Sequence, residues 1–223
     1  MTVTAILPVP AQWARHRDAV FTPVSGVPPL VLIVRALARV GDVVVAVAGP
    51  LAGDVREMLC EHPVAAVRVV AVEPPGTRTQ CIAAGLADVA SGPVLLHDLG
   101  WPLIADVTVD AVVSALRGGA AATLPIRPVT DSVKAVDARG AVTATLDRAQ
   151  LRTVQYPRGF DATVLDGLLG DDADDSFDEL SAALAAGTTL TLVDGDTETT
   201  RFDLPAEAAL LAALIEGRQD PLH

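Results

Sequence analysis

Short apolar runs alternate with amphipathic stretches along most of the chain, and this alternation limits the fold more than any other sequence feature. The runs at residues 3–9, 42–48 and 67–72 are rich in β-branched residues and nearly continuous, which is typical of strands covered on both faces. Stretches with helical spacing, such as residues 30–40, separate them. The sequence therefore predicts βαβ units with right-handed crossovers, and so a doubly wound α/β fold with a mostly parallel sheet.

The alternation stops after residue 126. Between residues 127 and 158, β-type alternation flanks the turn-like cluster "DARG", which predicts an inserted β-arm of two strands. Because an isolated hairpin is marginally stable in water, we expect the arm to pack on another surface, most simply a second subunit. Two helices, a strand and a closing helix that starts at Pro205 follow. Since no linker or repeat interrupts the chain, we expect residues 1–223 to form one domain.

Composition and charge narrow the classes of function. Of the 223 residues, 51% are apolar and 20% charged, which is typical of a globular protein. The net charge of −12 repels nucleic acid and anionic lipid, so we expect neither as a partner. No apolar run approaches the roughly 20 residues of a membrane span, and the N-terminal residues lack the features of a secretory signal. Cys60 and Cys81 do not form a disulfide framework or a metal-site spacing, so we expect a cytoplasmic protein.

The stretch "PVLLHDLGWPL", residues 93–103, contains the first candidate for a functional residue. Asp98 directly follows an apolar run that reads as a buried strand. Ligands of open α/β sheets bind beyond the carboxyl ends of the strands, so Asp98 is placed where an acid can meet a ligand. The neighbouring His97 and Trp101 are expected to serve packing.

Several motifs in the same order resemble the methylerythritol phosphate cytidylyltransferase family. The resemblance runs from about Gly76 to the closing helix. The family's G-x-R-x-D-S-V corresponds to "GTRTQCI", its H-D-A-A-R-P to "HDLGWP" and its P-V-T-D-T-x-K to "PVTDSVK". Its T-x-D-R-x-x-L-x-x-x-Q-T-P-Q-x-F corresponds to "TLDRAQLRTVQYPRGF", its T-D-E-A-S to "FDELS" and its N-I-K-V-T-x-P-E-D to "TTRFDLPAE". The resemblance implies a Rossmann-like nucleotidyltransferase fold.

The family's reaction implies a nucleotide site. It transfers CMP from CTP to 2-C-methyl-D-erythritol 4-phosphate, a small sugar-alcohol phosphate, with Mg²⁺. By this resemblance Asp98 is a catalytic residue that faces the phosphates, binds the nucleotide and serves as a ligand of Mg²⁺. Arg78 and Cys81 would line the nucleotide pocket, with Cys81 in the place of a serine.

The resemblance also implies a site for the second substrate, shared between subunits. The β-arm would be exchanged across a homodimer and would bring Ser132 and Arg148 to the substrate phosphate of the partner. Arg201 stands where the family has a phosphate-binding lysine, and a guanidinium can bind a phosphate through two parallel hydrogen bonds.

The N-terminal third departs from the family pattern. The family has a glycine-rich A-A-G-x-G-x-R loop after the first strand and a P-K pair shortly beyond it. Backbone N–H groups and cations are needed there because a triphosphate must be approached closely and its charge neutralised. No glycine lies between Pro8 and Phe21, and Lys134 is the only lysine of the chain. Arg15, in the segment "WARHR", is the candidate for a replacement catalytic cation.

These observations leave three hypotheses open. The first is a cytidylyltransferase whose catalysis is impaired or altered. The second is a catalytically degenerate paralogue that keeps the fold and acts as a binding or regulatory protein. The third is a nucleotidyltransferase with changed substrates, in which "WARHR" forms a new donor site.

Overall fold

The computed structural model describes residues 2–170 and 177–219 and forms a central sheet flanked by helices. Its strands are β1 (Val3–Val9), β2 (Gly41–Ala48), β3 (Val67–Val72), β4 (Pro93–Leu96), β5 (Ala122–Pro128), β6 (Lys134–Val136), β7 (Val142–Thr145), β8 (Arg152–Val154), β9 (Arg158–Asp161) and β10 (Leu190–Asp194). Its helices are α1 (Arg17–Phe21), α2 (Pro29–Leu37), α3 (Gly49–Glu61), α4 (Arg78–Leu86), α5 (Asp106–Arg117), α6 (Ala162–Leu168), α7 (Glu179–Ala185) and α8 (Ala208–Gln219).

The sheet has the strand order β3–β2–β1–β4–β9–β5–β10, and β8 also pairs with β5. Strands β3, β2, β1 and β4 are mutually parallel, and β10 is parallel to β5. The short strand β9 runs antiparallel between β4 and β5 and thereby joins the two parallel blocks. The predicted mostly parallel α/β fold is confirmed, whereas the central antiparallel strand was not predicted.

Helices cover both faces of the sheet because alternate residues of each strand point to opposite sides. In β1, Ala5 and Leu7 belong to a core shared with α2, α3 and α5. Ile6, between them, instead packs in a second core with Ile82 of α4 and Leu165 of α6. Strands that are apolar on both faces are what a sheet between two helical layers requires.

The segment between β5 and β8 leaves the main sheet. Strands β6 and β7 pair with each other, as a separate antiparallel ribbon around the turn at Gly140. Three large apolar side chains of this segment are exposed, namely Val136, Val142 and Leu146. Because β8 returns to pair with β5, the residues outside the main sheet are 129–151, a shorter stretch than the predicted arm of 127–158.

Two helix starts differ from the sequence prediction. The closing helix α8 starts at Ala208 and not at Pro205, because the Glu207 side chain accepts a hydrogen bond from the Asp203 N–H at 2.7 Å and forms a turn first. Helix α7 starts at Glu179, where Asp178 caps it by accepting from the Ser181 N–H. The sequence pattern predicts a helix over residues 175–187, of which 175 and 176 lie outside the described residues. Among the described residues, no helix is long and apolar enough to span a membrane.

Two helical glycines provide a test of the packing between α4 and β1. A Cβ added at Gly85 would lie 2.5 Å from Cγ2 of Ile6, which is fully buried and cannot move aside. A Cβ added at Gly53 in α3 would meet nothing within 4 Å. We expect Gly85→Ala to lower the free energy of unfolding by about 1–3 kcal/mol through overpacking. Gly53→Ala should raise it by about 0.5–1 kcal/mol through helix propensity.

Urea denaturation of both variants measures this difference, since each substitution makes the same chemical change in a helix. Equal effects of the two substitutions would contradict the close packing of α4 on β1.

Candidate functional site

Asp98 lies just beyond the carboxyl end of β4, in a turn that fixes its carboxylate. The His97 N–H donates to the Ile6 carbonyl at 3.0 Å and continues the pairing with β1. The Gly100 N–H donates to Asp98 Oδ1 at 2.8 Å, and the Trp101 N–H donates to the Asp98 carbonyl at 3.1 Å. The acid predicted from the sequence is thus held in place at the sheet edge where ligands of this fold class bind.

Arg78 is the first residue of α4, and the helix start directs it toward Asp98. Thr77 accepts from the Gln80 N–H at 3.2 Å, while the Gln80 side chain accepts from the N–H groups of Gly76 at 2.8 Å and Thr77 at 3.0 Å. This capping box satisfies the backbone donors of Gly76, Thr77 and Gln80 at the helix start. From the capped turn, Arg78 Nη1 donates to Asp98 Oδ2 at 3.1 Å.

A buried carboxylate, Glu179 of α7, contacts the other side of Arg78. Its side chain has no exposed surface, and Arg78 Nη2 lies 3.2 Å from Glu179 Oε2. Glu179 Oε1 accepts from Arg158 Nη1 at 3.0 Å and from the Tyr156 hydroxyl at 2.7 Å. The Arg158 guanidinium also lies over the Tyr156 ring, 4.4 Å from its centroid. We call these five residues, including Asp98, the Arg78 network.

The network determines the protonation of its members. Burial alone lowers the pKa of Arg78, but the nearby Glu179, Tyr156 and Asp98 outweigh it, and the pKa is raised overall. Burial, and then the charge of Glu179, raise the pKa of the Tyr156 hydroxyl. Burial also lowers the pKa of Arg158, but the nearby Tyr156 and Glu179 outweigh this effect, and the pKa is raised overall. Both arginines therefore stay charged, and Tyr156 remains a hydrogen-bond donor.

The neutral imidazole ring of His97 stabilises the turn through a hydrogen bond to its backbone. Its Nε2 donates to the Trp101 carbonyl at 2.9 Å, since a carbonyl can only accept. Its Nδ1 is buried without a hydrogen-bond partner among the described residues, and its ring meets the Tyr156 ring edge-on at 5.8 Å. Burial lowers the pKa of His97 to about 4, against the opposing effects of the Trp101 carbonyl and Asp98. This agrees with the packing role predicted for His97.

Arg201 reaches the same turn from the segment between β10 and α8. The Phe202 N–H donates to the Gly100 carbonyl at 2.8 Å and joins the two segments. A Cβ at Gly100 would lie 3.1 Å from Asp98 Oδ1 and 3.3 Å from Arg201 Nε, so this position favours glycine because both groups come close. The acid and the exposed cation therefore lie beside one backbone position.

The buried Gln155 holds the start of that segment. Its side-chain amide donates to the carbonyls of Asp196, at 2.8 Å, and Thr199, and its oxygen accepts from the Asp196 N–H at 3.0 Å. A Cβ at Gly195 would overlap the Gln155 oxygen at 2.0 Å. Gln155, a residue of the motif that the resemblance identified, therefore fixes the path of the chain toward Arg201.

A cavity of about 240 Å³ opens between this turn and the residues that follow β1. Apolar side chains form much of its wall, while its charged or titratable groups come from three positions. The lining residues are Gln12, Trp13, His16, Ala19, Leu99, Gly100, Arg201, Phe202, Asp203 and Leu204.

Three backbone N–H groups of the residues after β1 donate to carbonyls of the protein. Residues Ala11–Arg15 form a 3₁₀ turn in which the Trp13 N–H donates to the Pro10 carbonyl at 3.1 Å. The Ala11 N–H donates to the Gly76 carbonyl at 2.9 Å, and the His16 N–H to the Trp13 carbonyl at 3.0 Å. These N–H groups are not available to a phosphate, which agrees with the absence of the glycine-rich loop noted in the sequence.

The other predicted site residues lie in different surroundings. Arg15 is exposed on the 3₁₀ turn and is not among the residues that line the cavity. Cys81 is fully buried with Ala46 and Val72, within the layer that packs α4 on the sheet. Their roles stay predictions.

Ser132 and Arg148 are both exposed in the segment that contains the ribbon. Arg148 donates to the Thr130 carbonyl, two residues from Ser132, so the two predicted phosphate ligands are brought near each other. Their contact with a substrate also stays a prediction.

Sequence reasoning missed Tyr156, Arg158 and Glu179 as members of the site. Tyr156 and Arg158 flank Pro157 in "QYPRGF", and Glu179 lies in "FDELS" after an acidic run. Both segments correspond to motifs of the family, and this correspondence was the only indication that their residues belong to the site. Nothing in a single sequence indicates that residues more than twenty positions apart share one buried ion pair.

The carboxylates of the site decide whether it suits the Mg²⁺ that the resemblance implies. The described residues contain no group of three or more histidine, cysteine or acidic side chains that could hold a metal. Mg²⁺ commonly takes one or two carboxylates from a protein and its other ligands from phosphates and water. Asp98 fits that lesser role, because each of its oxygens makes one hydrogen bond and retains a further lone pair.

The fold and the site define a class: a nucleotidyltransferase-like α/β domain with an acid and an arginine beyond the carboxyl end of a central strand. The family model described as IspD, 2-C-methyl-D-erythritol 4-phosphate cytidylyltransferase, matches residues 10–216. The chain belongs to this family.

Curated relatives and solved structures agree with this assignment. A 2-C-methyl-D-erythritol 4-phosphate cytidylyltransferase of Streptomyces coelicolor is 37% identical over 207 residues, which cover 87% of this chain and 77% of the relative. One of Nocardia farcinica is 32% identical and covers 97% of this chain and 95% of the relative. The crystal structure of the Thermus thermophilus cytidylyltransferase has a TM-score of 0.72 at 24% identity, with 97% of this chain and 100% of that chain covered. The last comparison supports the fold alone.

The buried His97 predicts a pH dependence of stability. The pKa of His97 is about 4 in the folded protein against 6.5 for an ordinary histidine, so the unfolded chain binds the proton first as the pH falls. The free energy of unfolding should therefore decrease as the pH falls from about 6.5 to about 4, by on the order of 3 kcal/mol. Urea denaturation at a series of pH values measures this decrease.

His97→Gln, which cannot titrate, should remove the His97 part of the decrease. His62→Gln changes a histidine outside the site and should retain it. A decrease of the same size in His97→Gln would contradict the assignment.

Proposed function

We propose that this chain transfers CMP from CTP to 2-C-methyl-D-erythritol 4-phosphate, with a weakened site for the CTP phosphates. The observation that carries the proposal is the pair of Asp98 and Arg78, 3.1 Å apart beyond β4, in a chain of this family. The exposed Arg201 on the wall of the adjoining cavity supplies a second cation. Arg201 lines the cavity, and Arg78 with Asp98 lies behind the same turn, so a ligand that carries several phosphates could contact both guanidinium groups.

The proposed reaction is an in-line displacement at phosphorus. A phosphate oxygen of methylerythritol phosphate attacks the α-phosphorus of CTP and forms the new P–O bond. The bond from that phosphorus to the oxygen bridging to the β-phosphate breaks, and diphosphate leaves with the electron pair. Mg²⁺ held in part by Asp98 would neutralise charge on the phosphates. Arg78 binds the nucleotide, and Arg201 binds phosphate oxygens.

The part of the site that would bind the CTP phosphates differs from that of an efficient transferase. The N–H groups of Ala11, Trp13 and His16 after β1 are used within the protein, and those of Gly76 and Thr77 are used by Gln80. Preorganised donors stabilise charge that develops in the transition state, and losing one commonly lowers the rate by about 10²–10³. We therefore propose slow turnover, with Arg15 as an exposed cation that a bound triphosphate can draw in.

We further propose that the second substrate is bound between subunits. The chain forms a single domain spanning 1–223, and the part of the predicted arm 127–158 that leaves the main sheet, residues 129–151, packs on a second copy of the chain. The exposed Val136, Val142 and Leu146 support this, because a ribbon of two strands needs an apolar partner. Ser132 and Arg148 would then face the substrate phosphate of the partner, while the fully buried Cys81 would act on the nucleotide site only through the packing of α4.

A second candidate function is favoured by the internal hydrogen bonds of the 3₁₀ turn. A member of the family that cannot hold a triphosphate would act as a binding or regulatory protein without turnover. A nucleotidyltransferase with another donor is distinguished from both by a thermal-shift screen of nucleotides, since a ligand that binds only the native state raises the melting temperature.

Diphosphate release from CTP and methylerythritol phosphate with Mg²⁺ tests the proposed transfer. We expect measurable turnover of the wild type and a loss of about 10²–10³-fold in kcat for Asp98→Asn, which removes one preorganised charge. Asp88→Asn is the control, because Asp88 pairs with Arg68 at the surface, away from the site, and should keep wild-type activity.

Titration calorimetry with CTP, with and without Mg²⁺, separates the two candidate functions. Heat of binding that requires Mg²⁺ supports the transferase. No heat and no diphosphate would overturn it in favour of the binding protein.

The proposed dimer predicts a different effect of the same substitution at two exposed valines. Val142→Asp in β7 should shift the protein from dimer to monomer, because it places a charge in the apolar interface. Val107→Asp in α5, where the side chain is 70% exposed outside the arm, should leave the dimer intact. Sedimentation velocity measures both. A monomeric wild type, or a dimer unaffected by Val142→Asp, would contradict the arm interface.

A further inference from the structure

The carboxylate of Glu179 is the most enclosed charge of the site. Its side chain is 0% exposed and accepts from Arg78, Arg158 and Tyr156 through both of its oxygens. A buried charge is tolerated only where it is paired and hydrogen-bonded, and this one has three donors. Because no solvent reaches it, Glu179 does not touch a substrate, and any effect on a ligand must pass through a neighbour.

Arg78 is the neighbour that connects Glu179 to the ligand side. One end of its guanidinium, Nη1, donates to Asp98, and the other end, Nη2, lies 3.2 Å from Glu179 Oε2 and 3.2 Å from the Tyr156 hydroxyl. The planar guanidinium is thus held from two sides, and its rotation about the Nε–Cζ bond is restricted. Its remaining donor capacity is directed by Glu179.

Without Glu179 the balance of charges around Arg78 changes. Arg158 would keep Asp178, 3.1 Å from its Nη1, as an ion-pair partner. Arg78 would be left with Asp98 alone among these carboxylates, and the pair would close more tightly. Both the cation for the nucleotide and the acid would then be less available to a ligand.

We propose that Glu179 is a positioning residue, which holds Arg78 in the orientation that binds the nucleotide and keeps Asp98 free to meet it. The proposal rests on the proposed function, in which Arg78 binds CTP. It assigns a role to a helix residue that lies outside the cavity and 101 positions from Arg78.

Steady-state kinetics of Glu179→Gln test the positioning role. The glutamine has the same shape but lacks the charge, and we expect KM for CTP to rise by about tenfold, the range in which contacting residues couple. Asp178→Asn is the matched control, since it removes a carboxylate of the same segment that contacts Arg158 but not Arg78, and asparagine still caps α7. Its KM should stay within about twofold of the wild type.

A background without Arg78 distinguishes positioning from a general loss of structure. In Arg78→Ala, the further change Glu179→Gln should alter KM by less than about twofold, because the group through which it acts is gone. An equal rise in KM in both backgrounds would overturn the proposal. Should Glu179→Gln fail to fold, Glu179→Asp keeps the charge but withdraws the carboxylate by one methylene, and the same comparison applies.

NMR of the arginine side chains tests the proposal without any turnover. In the wild type, restricted rotation should give separate Nη signals for Arg78, and Glu179→Gln should merge them while Asp178→Asn leaves them separate. Unchanged signals in Glu179→Gln would overturn the positioning role. A wild type that neither turns over nor binds CTP would overturn the proposed function instead, and the Arg78 signals alone would then decide whether Glu179 orients this side chain.

Discussion

The pairing of one buried carboxylate with two arginines connects the parts of this molecule that form the site. Glu179 belongs to α7, Arg78 to the start of α4, and Arg158 to β9, so the ion pairs join three elements that are distant in sequence. Removing one partner of a buried pair leaves an uncompensated charge and commonly costs about 3–5 kcal/mol. The elements must therefore dock together or not at all. Arg78 also donates a hydrogen bond to Asp98. The buried ion pairs therefore help to position the acid at the sheet edge.

In the proposed site, side chains and not backbone N–H groups would bind the phosphates. A glycine-rich loop presents N–H groups that are fixed before the ligand arrives. Here the N–H groups of Ala11, Trp13 and His16 after β1 are used within the protein, and Arg201 and His16 are the basic side chains on the cavity wall among the described residues. Ordering a long side chain on a ligand costs up to about 2 kcal/mol of conformational entropy. A site built in this way is expected to bind a triphosphate less firmly than a loop of backbone donors does.

Much of the fold could be predicted from the sequence, because strands between two helical layers are apolar throughout and helices between them are periodic. Strand β9 could not. Its four residues contain one glycine and follow a proline, a composition typical of a turn, and only the open edges of β4 and β5 make it a strand. Asp98 could be predicted from its place after β4. Its partners could not, since Glu179 reads as an acidic helix start until the fold brings Arg78 and Arg158 to it.

The turn after β4 fixes two charged groups of the site, Asp98 and Arg201, before any ligand binds. Gly100 donates its N–H to Asp98, offers its carbonyl to Phe202 and leaves room for the Arg201 side chain, so one residue sets the acid and the nearby cation together. Preorganisation of this kind is the demanding part of a catalytic site, because charges fixed in advance need no rearrangement during the reaction. The acid of this chain retains that preparation. The segment after β1, where the family has its glycine-rich loop, lacks such preparation among the described residues, because the N–H groups of Ala11, Trp13 and His16 are already used within the protein.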